Sequence, residues 1–290
     1  MDRRRNLALL ARLTAAGILI ALAAPVLQAV AQTAQPGAAT PPLVSTADAP
    51  TGTEALAVQW VTVTVFGRGT MLGAVARPRG PGPIPTVVLL HGSHGFAHEY
   101  VRLAQDLAGG GVLAMATCWF QGSAGSGARF VTSIACPEAP PMSSSLGSEA
   151  VQTLDALVQA ARTLPGARPD RIALFGHSRG SAPIMSYIVQ SANVQAAVLN
   201  SGGYPRDLYT EVKAPILILH GTADSPADGG VEVTGVQMAR DFETRLRTAG
   251  KPVEAVYYEG GRHNDLFSSP TQYRDELQRM LAFLLRHLRD

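Results

Sequence analysis

The chain has 290 residues, 46% of them hydrophobic and 16% charged, with a formal net charge of +2. That suits one or two globular domains with a substantial core, and so small a net charge leaves no basic stripe for nucleic acid. Its 29 glycines and 20 prolines follow no repeat, which excludes collagen-like and low-complexity architectures.

In chain order, Met1–Arg5 carries three arginines, and Leu7–Val30 is almost wholly apolar. Ala29-Val30-Ala31 then places small residues at both positions a signal peptidase requires. This order reads as a secretory signal over residues 1–31, giving an exported protein, periplasmic or secreted. A single membrane anchor is the alternative, because the apolar run nearly spans a bilayer. Pro25 breaks that run ahead of the cleavage site, which favours the signal and implies no stable membrane association after cleavage. Arg4-Arg5-Asn6-Leu7 carries part of a twin-arginine consensus, so the export route is open. Cleavage removes four arginines and one aspartate, leaving a net charge of about −1. Residues 32–55, rich in Ala, Thr and Pro without hydrophobic period, read as a mobile linker. The folded body is expected over residues 56–290.

Val58–Phe66 and Gly73–Arg77 predict paired strands around a Gly-rich turn. Short apolar runs bounded by Gly and Pro follow: Thr86–Leu90, Val112–Ala116, Arg171–Phe175, Val194–Leu199, Ile216–Leu219 and Val253–Tyr258. Such runs suit strands of a parallel sheet buried on both faces. Between them, Leu146, Ala150, Leu154, Leu157, Ala161 and Leu164 share one helical face. Ser181–Gln190 is also helical in pattern. The last helix opens at Ser269-Pro270 and carries the stripe Tyr273, Leu277, Leu281, Leu284, Leu288. The alternation predicts an α/β fold with one mostly parallel, doubly wound sheet flanked by helices and no large cap domain. Gln121–Ser145, rich in Gly, Ser and Pro, predicts a long loop over the carboxyl edge of that sheet, where open α/β folds place their sites.

Gly176-His177-Ser178-Arg179-Gly180 lies between a predicted strand and a predicted helix, the context G-x-S-x-G requires. The turn must be tight enough to point the serine hydroxyl out of the sheet, and side chains at Gly176 and Gly180 would strike neighbouring elements. A serine hydroxyl needs a base to take its proton, and the base needs an orienting carboxylate. Asp224 follows the strand Ile216–Leu219, and His263 follows Val253–Tyr258, so both fall on the carboxyl edge. The order Ser178, Asp224, His263 is the order this serine-hydrolase arrangement uses. Asp228, further down the same Gly-rich loop, competes with Asp224 for the role of acid.

With these placements the chain resembles the α/β-hydrolase superfamily, most closely its dienelactone-hydrolase-like branch. His91-Gly92-Ser93-His94-Gly95, after the strand Thr86–Leu90, is similar to that family's oxyanion loop. The resemblance implies that the backbone N–H groups of Ser93 and Arg179 form the oxyanion hole. It also implies hydrolysis of a small-molecule ester without cofactor or metal. Dienelactone hydrolases proper use a cysteine nucleophile where this chain has Ser178, so general ester hydrolysis is expected rather than dienelactone cleavage. The alternatives are a peptidase similar to the prolyl-oligopeptidase catalytic domain and a non-catalytic binding protein of the same fold.

His91, His94 and His98 have a spacing that could suggest a metal, but no carboxylate or cysteine cluster completes the set. His177 and His220 are expected to be structural, flanking the elbow and the acid turn. The Arg179 side chain is expected to form a local salt bridge, with an anionic substrate as the alternative. Asn264, beside the base, reads as a turn cap. Trp119 and Phe120, at the carboxyl edge, are candidates for either a substrate pocket or the core. Cys118 and Cys136 are expected to form a disulfide because an exported chain with two cysteines favours one. Nothing in the sequence sets the oligomeric state.

Overall fold

The computed structural model describes residues 42–289 apart from 66, 81, 123–128, 205–208, 227–229 and 231. The segment read as a secretory signal, the start of the linker and Asp228 lie outside the described residues. Among those described, nine strands form one sheet in the order β1-β2-β3-β5-β4-β6-β7-β8-β9. They are β1 Leu43–Thr46, β2 Gln59–Val65, β3 Gly69–Ala76, β4 Ile84–Leu90, β5 Leu113–Thr117, β6 Ala167–His177, β7 Ala196–Asn200, β8 Ile216–Gly221 and β9 Val253–Tyr258. The first three strands run antiparallel and β3 meets β5 antiparallel, whereas every pairing from β5 to β9 is parallel.

The crossovers are α1 His98–Gly109, α2 Gly147–Thr163, α3 Ser181–Gln190 and α4 Val236–Thr248, followed by the short α5 Asp265–Ser268 and α6 Pro270–Leu288. Alternate residues of each central strand point to opposite faces. Val88 and Leu90 of β4 join one core with residues of α2, α3 and α4. Val87 and Leu89 join a second core with α1 and α6. Both faces are therefore covered, which is why the central strands read as unbroken apolar runs: every residue of β5, β7 and β8 is buried. Each fully buried Leu or Val contributes roughly 1.5–3 kcal/mol. The helix expected over Leu146–Leu164 and the Ser269-Pro270 start of α6 are present, with the Ser269 hydroxyl accepting from the Gln272 N–H.

The body begins earlier than the linker reading placed it. Leu43–Thr46 pairs antiparallel with Val61–Thr64, and Thr53 is buried with its hydroxyl donating to the Pro50 carbonyl. Backbone pairing and the single half-buried Val44 hold this strand, while Leu43 stays 65% exposed. β3 likewise starts at Gly69, because the hairpin register continues to the Val65–Gly69 pair. The described part of Gln121–Ser145 contains no strand and no α-helix, only a short 3-10 turn at Met142–Ser145. It is tied down all the same. His98 N–H donates to the Thr132 carbonyl, Ile134 N–H to Phe96, and Gln121 N–H to Pro140. Cys118 and Cys136 are joined by a disulfide. No helix among the described residues is long and apolar enough to cross a membrane.

Candidate active site

Ser178 follows directly on β6 and has φ 52°, a left-handed conformation that costs a non-glycine residue about 1–3 kcal/mol unless its surroundings impose it. Two glycines make room for it here. A Cβ on Gly176 would lie 2.5 Å from the Gly180 carbonyl oxygen, and one on Gly180 would lie 2.5 Å from that of Leu90. The turn from β6 into α3 can close this tightly, against the end of β4, only without side chains at those positions. The serine hydroxyl is thereby lifted off the sheet edge.

The turns that carry Asp224 and His263 are laced together before their side chains meet. Thr222 N–H donates to the Tyr258 carbonyl and Ala223 N–H to that of Gly261. A Cβ on Gly221 would fall 2.1 Å from the Gly261 oxygen, so this approach too depends on glycine. From this platform His263 Nδ1 donates to Asp224 Oδ2 at 2.8 Å, which leaves Nε2 to accept the Ser178 hydroxyl at 2.9 Å. Asp224 and His263 are both buried. Burial alone would push the Asp224 carboxyl up, but the hydrogen bonds and charges of His220 and His263 outweigh it and hold the group below its ordinary value.

His220 does more than flank the acid turn. Its Nε2 lies 2.6 Å from the Thr234 carbonyl, which can only accept, so that nitrogen carries the proton. The same Nε2 is 3.1 Å from Asp224 Oδ2. Asp224 is thus gripped through one oxygen by two imidazoles. Its Oδ1 is buried without a partner among the described residues, close against Gly230, whose Cβ would lie 2.3 Å away.

On the far side of Ser178 runs the His91–Gly95 loop. A Cβ on Gly92 would come within 3.1 Å of the Ser178 Cβ, so a bare backbone brings the loop, and Ser93 next to it, against the serine. Arg179 starts the helical turn into α3; its Nε donates to the Ser145 hydroxyl and its guanidinium lies 5.8 Å above the Phe120 ring. The side chain is engaged locally, but through a hydroxyl and a ring where a local salt bridge was expected. Trp119 and Phe120, open between a pocket and the core in the sequence, belong to the core cluster. Both are buried in the core: the indole N–H donates to the His91 carbonyl at 3.0 Å and Phe120 packs 4.6 Å from the His91 ring. The chain turns inward after β5, so the two aromatics back the His91–Gly95 loop from beneath. An apolar cleft of about 290 Å³ opens between that loop and the disulfide-bearing segment, lined by His94, Gly95, Phe96, Ile134, Cys136 and Pro137.

Three histidines near Ser178, namely His91, His94 and His177, are held in their neutral form. Burial pushes His91 down to about 3 and, helped by the charge of His263, His94 down to about 4. Burial, with the charges of His263 and His94, holds His177 well below its ordinary value. His91 donates from Nδ1 to the Gly92 carbonyl and shapes the loop. The sequence singled out no role for Tyr100, whose hydroxyl touches Gly92, His94 and His177; within α1 it reads only as one more residue of the apolar face.

Residues 71–285 match the model of the dienelactone hydrolase family. An α/β hydrolase domain-containing protein 17B of Xenopus laevis is 28% identical over 154 residues, 47% of this chain and 49% of that protein. The chain thus aligns with about half the length of such curated relatives. Among solved structures, a putative dienelactone hydrolase from Klebsiella pneumoniae superposes with TM-score 0.59 at 20% identity, covering 84% of this chain and 99% of its own. A puromycin-hydrolyzing peptidase of Mycobacterium tuberculosis superposes with TM-score 0.61 at 17% identity, covering 81% and 40%. These likenesses are of fold.

Proposed function

Because this chain belongs to the dienelactone hydrolase family of α/β hydrolases, we propose that it is an exported serine hydrolase that cleaves carboxylic esters of small molecules through Ser178, His263 and Asp224. His263 Nε2 takes the Ser178 proton as the oxygen attacks the ester carbonyl, and Asp224 steadies the imidazolium that forms. The oxyanion is received by the backbone N–H groups of Ser93 and Arg179, the latter at the positive end of the ten-residue helix α3. His263 returns the proton to the departing alcohol, and water then releases the acyl group by the same steps in reverse order.

The observation that carries this reading is the continuous line Asp224 Oδ2–His263–Ser178 Oγ, with bonds of 2.8 and 2.9 Å. The apolar cleft beside His94 suits a small or medium acyl or alcohol group, and the serine in place of the family's cysteine favours general esters. Export rests on the residues 1–31 signal pattern together with the Cys118–Cys136 bond, which persists in oxidising compartments. Amino-terminal sequencing of the mature protein is expected to begin at Gln32.

The test compares short p-nitrophenyl esters with aminoacyl p-nitroanilides. Ester turnover is expected to exceed anilide turnover, and Ser178→Ala is expected to lower kcat by about a thousandfold or more while the fold is kept. Preferential cleavage of the anilides makes the protein a peptidase instead. A folded wild-type protein inert to both classes makes it a binding protein.

A further inference from the structure

We propose that the Tyr100 hydroxyl is a positioning group for catalysis, a single buried hub that fixes the oxyanion loop, the nucleophile turn and the base loop in mutual register. The inference rests on the serine-hydrolase reading given above. Tyr100 lies in the first turn of α1 and is 1% exposed. Its oxygen is 3.0 Å from Gly92 N, 3.0 Å from His94 Nε2 and 3.0 Å from His177 Nδ1. The opposite nitrogen of that last ring, His177 Nε2, is 3.2 Å from the His263 carbonyl.

The chemistry of the partners fixes every proton in this array. A carbonyl only accepts, so His177 Nε2 carries a hydrogen and Nδ1 carries a lone pair. Tyr100 must then donate its one hydrogen to Nδ1. The Gly92 N–H can only donate, so it takes one lone pair of the tyrosine oxygen. The remaining lone pair receives the Nε2–H of His94. One donor and two acceptors are all a phenol offers, and all three are used. Burial favours the neutral form of every member: His94 is pushed down to about 4, His177 well below its ordinary value, and the phenol well above its own.

The partners sit one residue or less from the reacting groups. Gly92 precedes Ser93, whose N–H faces the oxyanion in the proposed mechanism. His177 precedes Ser178, and His263 is the base itself. A generic core tyrosine would satisfy one nearby polar atom. This one joins three segments that the chain delivers separately, after β4, β6 and β9. Catalysis by an oxyanion hole depends on donors being held where charge develops, so slack in this hub is expected to act on the transition state more than on the bound ester.

The test is Tyr100→Phe in the mature protein beside wild type and Ser178→Ala, with p-nitrophenyl esters as substrate and a trifluoromethyl ketone as transition-state analogue. Removal of the hydroxyl is expected to lower kcat ten- to a hundredfold with KM within threefold. Affinity for the ketone is expected to fall in step with kcat/KM. If Tyr100→Phe does not fold, His177→Leu interrupts the same array and is expected to give the same kcat-selective loss. If both fold, the double variant is expected to cost little more than the worse single one. A folded Tyr100→Phe or His177→Leu with kcat and ketone affinity within twofold of wild type overturns the proposal. A wild type without Ser178-dependent esterase activity overturns the reading beneath it, an outcome the wild-type and Ser178→Ala arms report before any Tyr100 variant is considered.

Discussion

Glu276 shows what a single buried carboxyl does to this fold. It is 1% exposed on α6, receiving the Gln272 amide at 2.7 Å and the Asn200 amide at 2.5 Å. Burial nevertheless dominates those bonds and pushes it up to about 8 from 4.5. Between those two values the folded protein holds a proton that the unfolded chain has released, so this residue makes stability fall as pH rises from about 4.5 to 8. Glu276→Gln stays neutral throughout. Thermal unfolding is expected to give similar Tm values for the two proteins near pH 5 and a variant that is the more stable at pH 9. Equal Tm differences at both pH values would place the carboxyl in ordinary solvent. Residue chemistry of this kind was only partly legible in the sequence. The Gly176–Gly180 motif announced both the strained serine and the glycines that permit it. The grip of His220 on Asp224 was not legible, since two residues four apart across a strand end meet only if the turn after Gly221 folds back.

At the level of elements, the disulfide is the fastening that the sequence foretold and the structure contains. Cys118 ends the turn out of β5, and Cys136 lies 18 residues on, with Cα atoms 6.6 Å apart. The bond closes the segment that flanks the apolar cleft, and Gly122 crosses Gly95 of the His91–Gly95 loop so closely that a Cβ on it would fall 2.0 Å from the Gly95 Cα. The chain-entropy model gives about 3 kcal/mol for a loop of this length, equivalent to a Tm loss of about 6–12 °C on reduction for a domain of this size. Thiol labelling of the unreduced, denatured protein is expected to find no reactive sulfhydryl and, after reduction, two. Two before reduction would contradict the pairing. Elements with strong apolar period were read almost to the residue: Val253–Tyr258 and Ser181–Gln190 have the expected bounds. β1 escaped because its residues are held by backbone pairing at the sheet edge and leave no hydrophobic pattern. Trp119 and Phe120 stayed ambiguous because the direction in which a chain turns after its strand is a tertiary property.

Over the whole molecule, the sheet converts distant sequence into proximity. Parallel strands send successive loops to one edge, so β4, β6, β8 and β9 deliver His91–Gly95, Ser178, Asp224 and His263 to a common rim. That much follows from strand order and the two apolar faces, which is why fold class and candidate triad could be read before any coordinates. The polar layer beneath the rim could not, because Tyr100, His177 and the His263 carbonyl are linked only by how α1 packs on the sheet. The central claim is that the three side chains act as one nucleophilic unit, and a fluorophosphonate reports on it without any need to know the natural ester. Peptide mass mapping of the treated protein is expected to find one phosphonyl adduct, on the peptide containing Ser178, and its formation is expected to be lost in His263→Ala. A folded wild-type protein with no adduct, or with its adduct on another residue, contradicts the account.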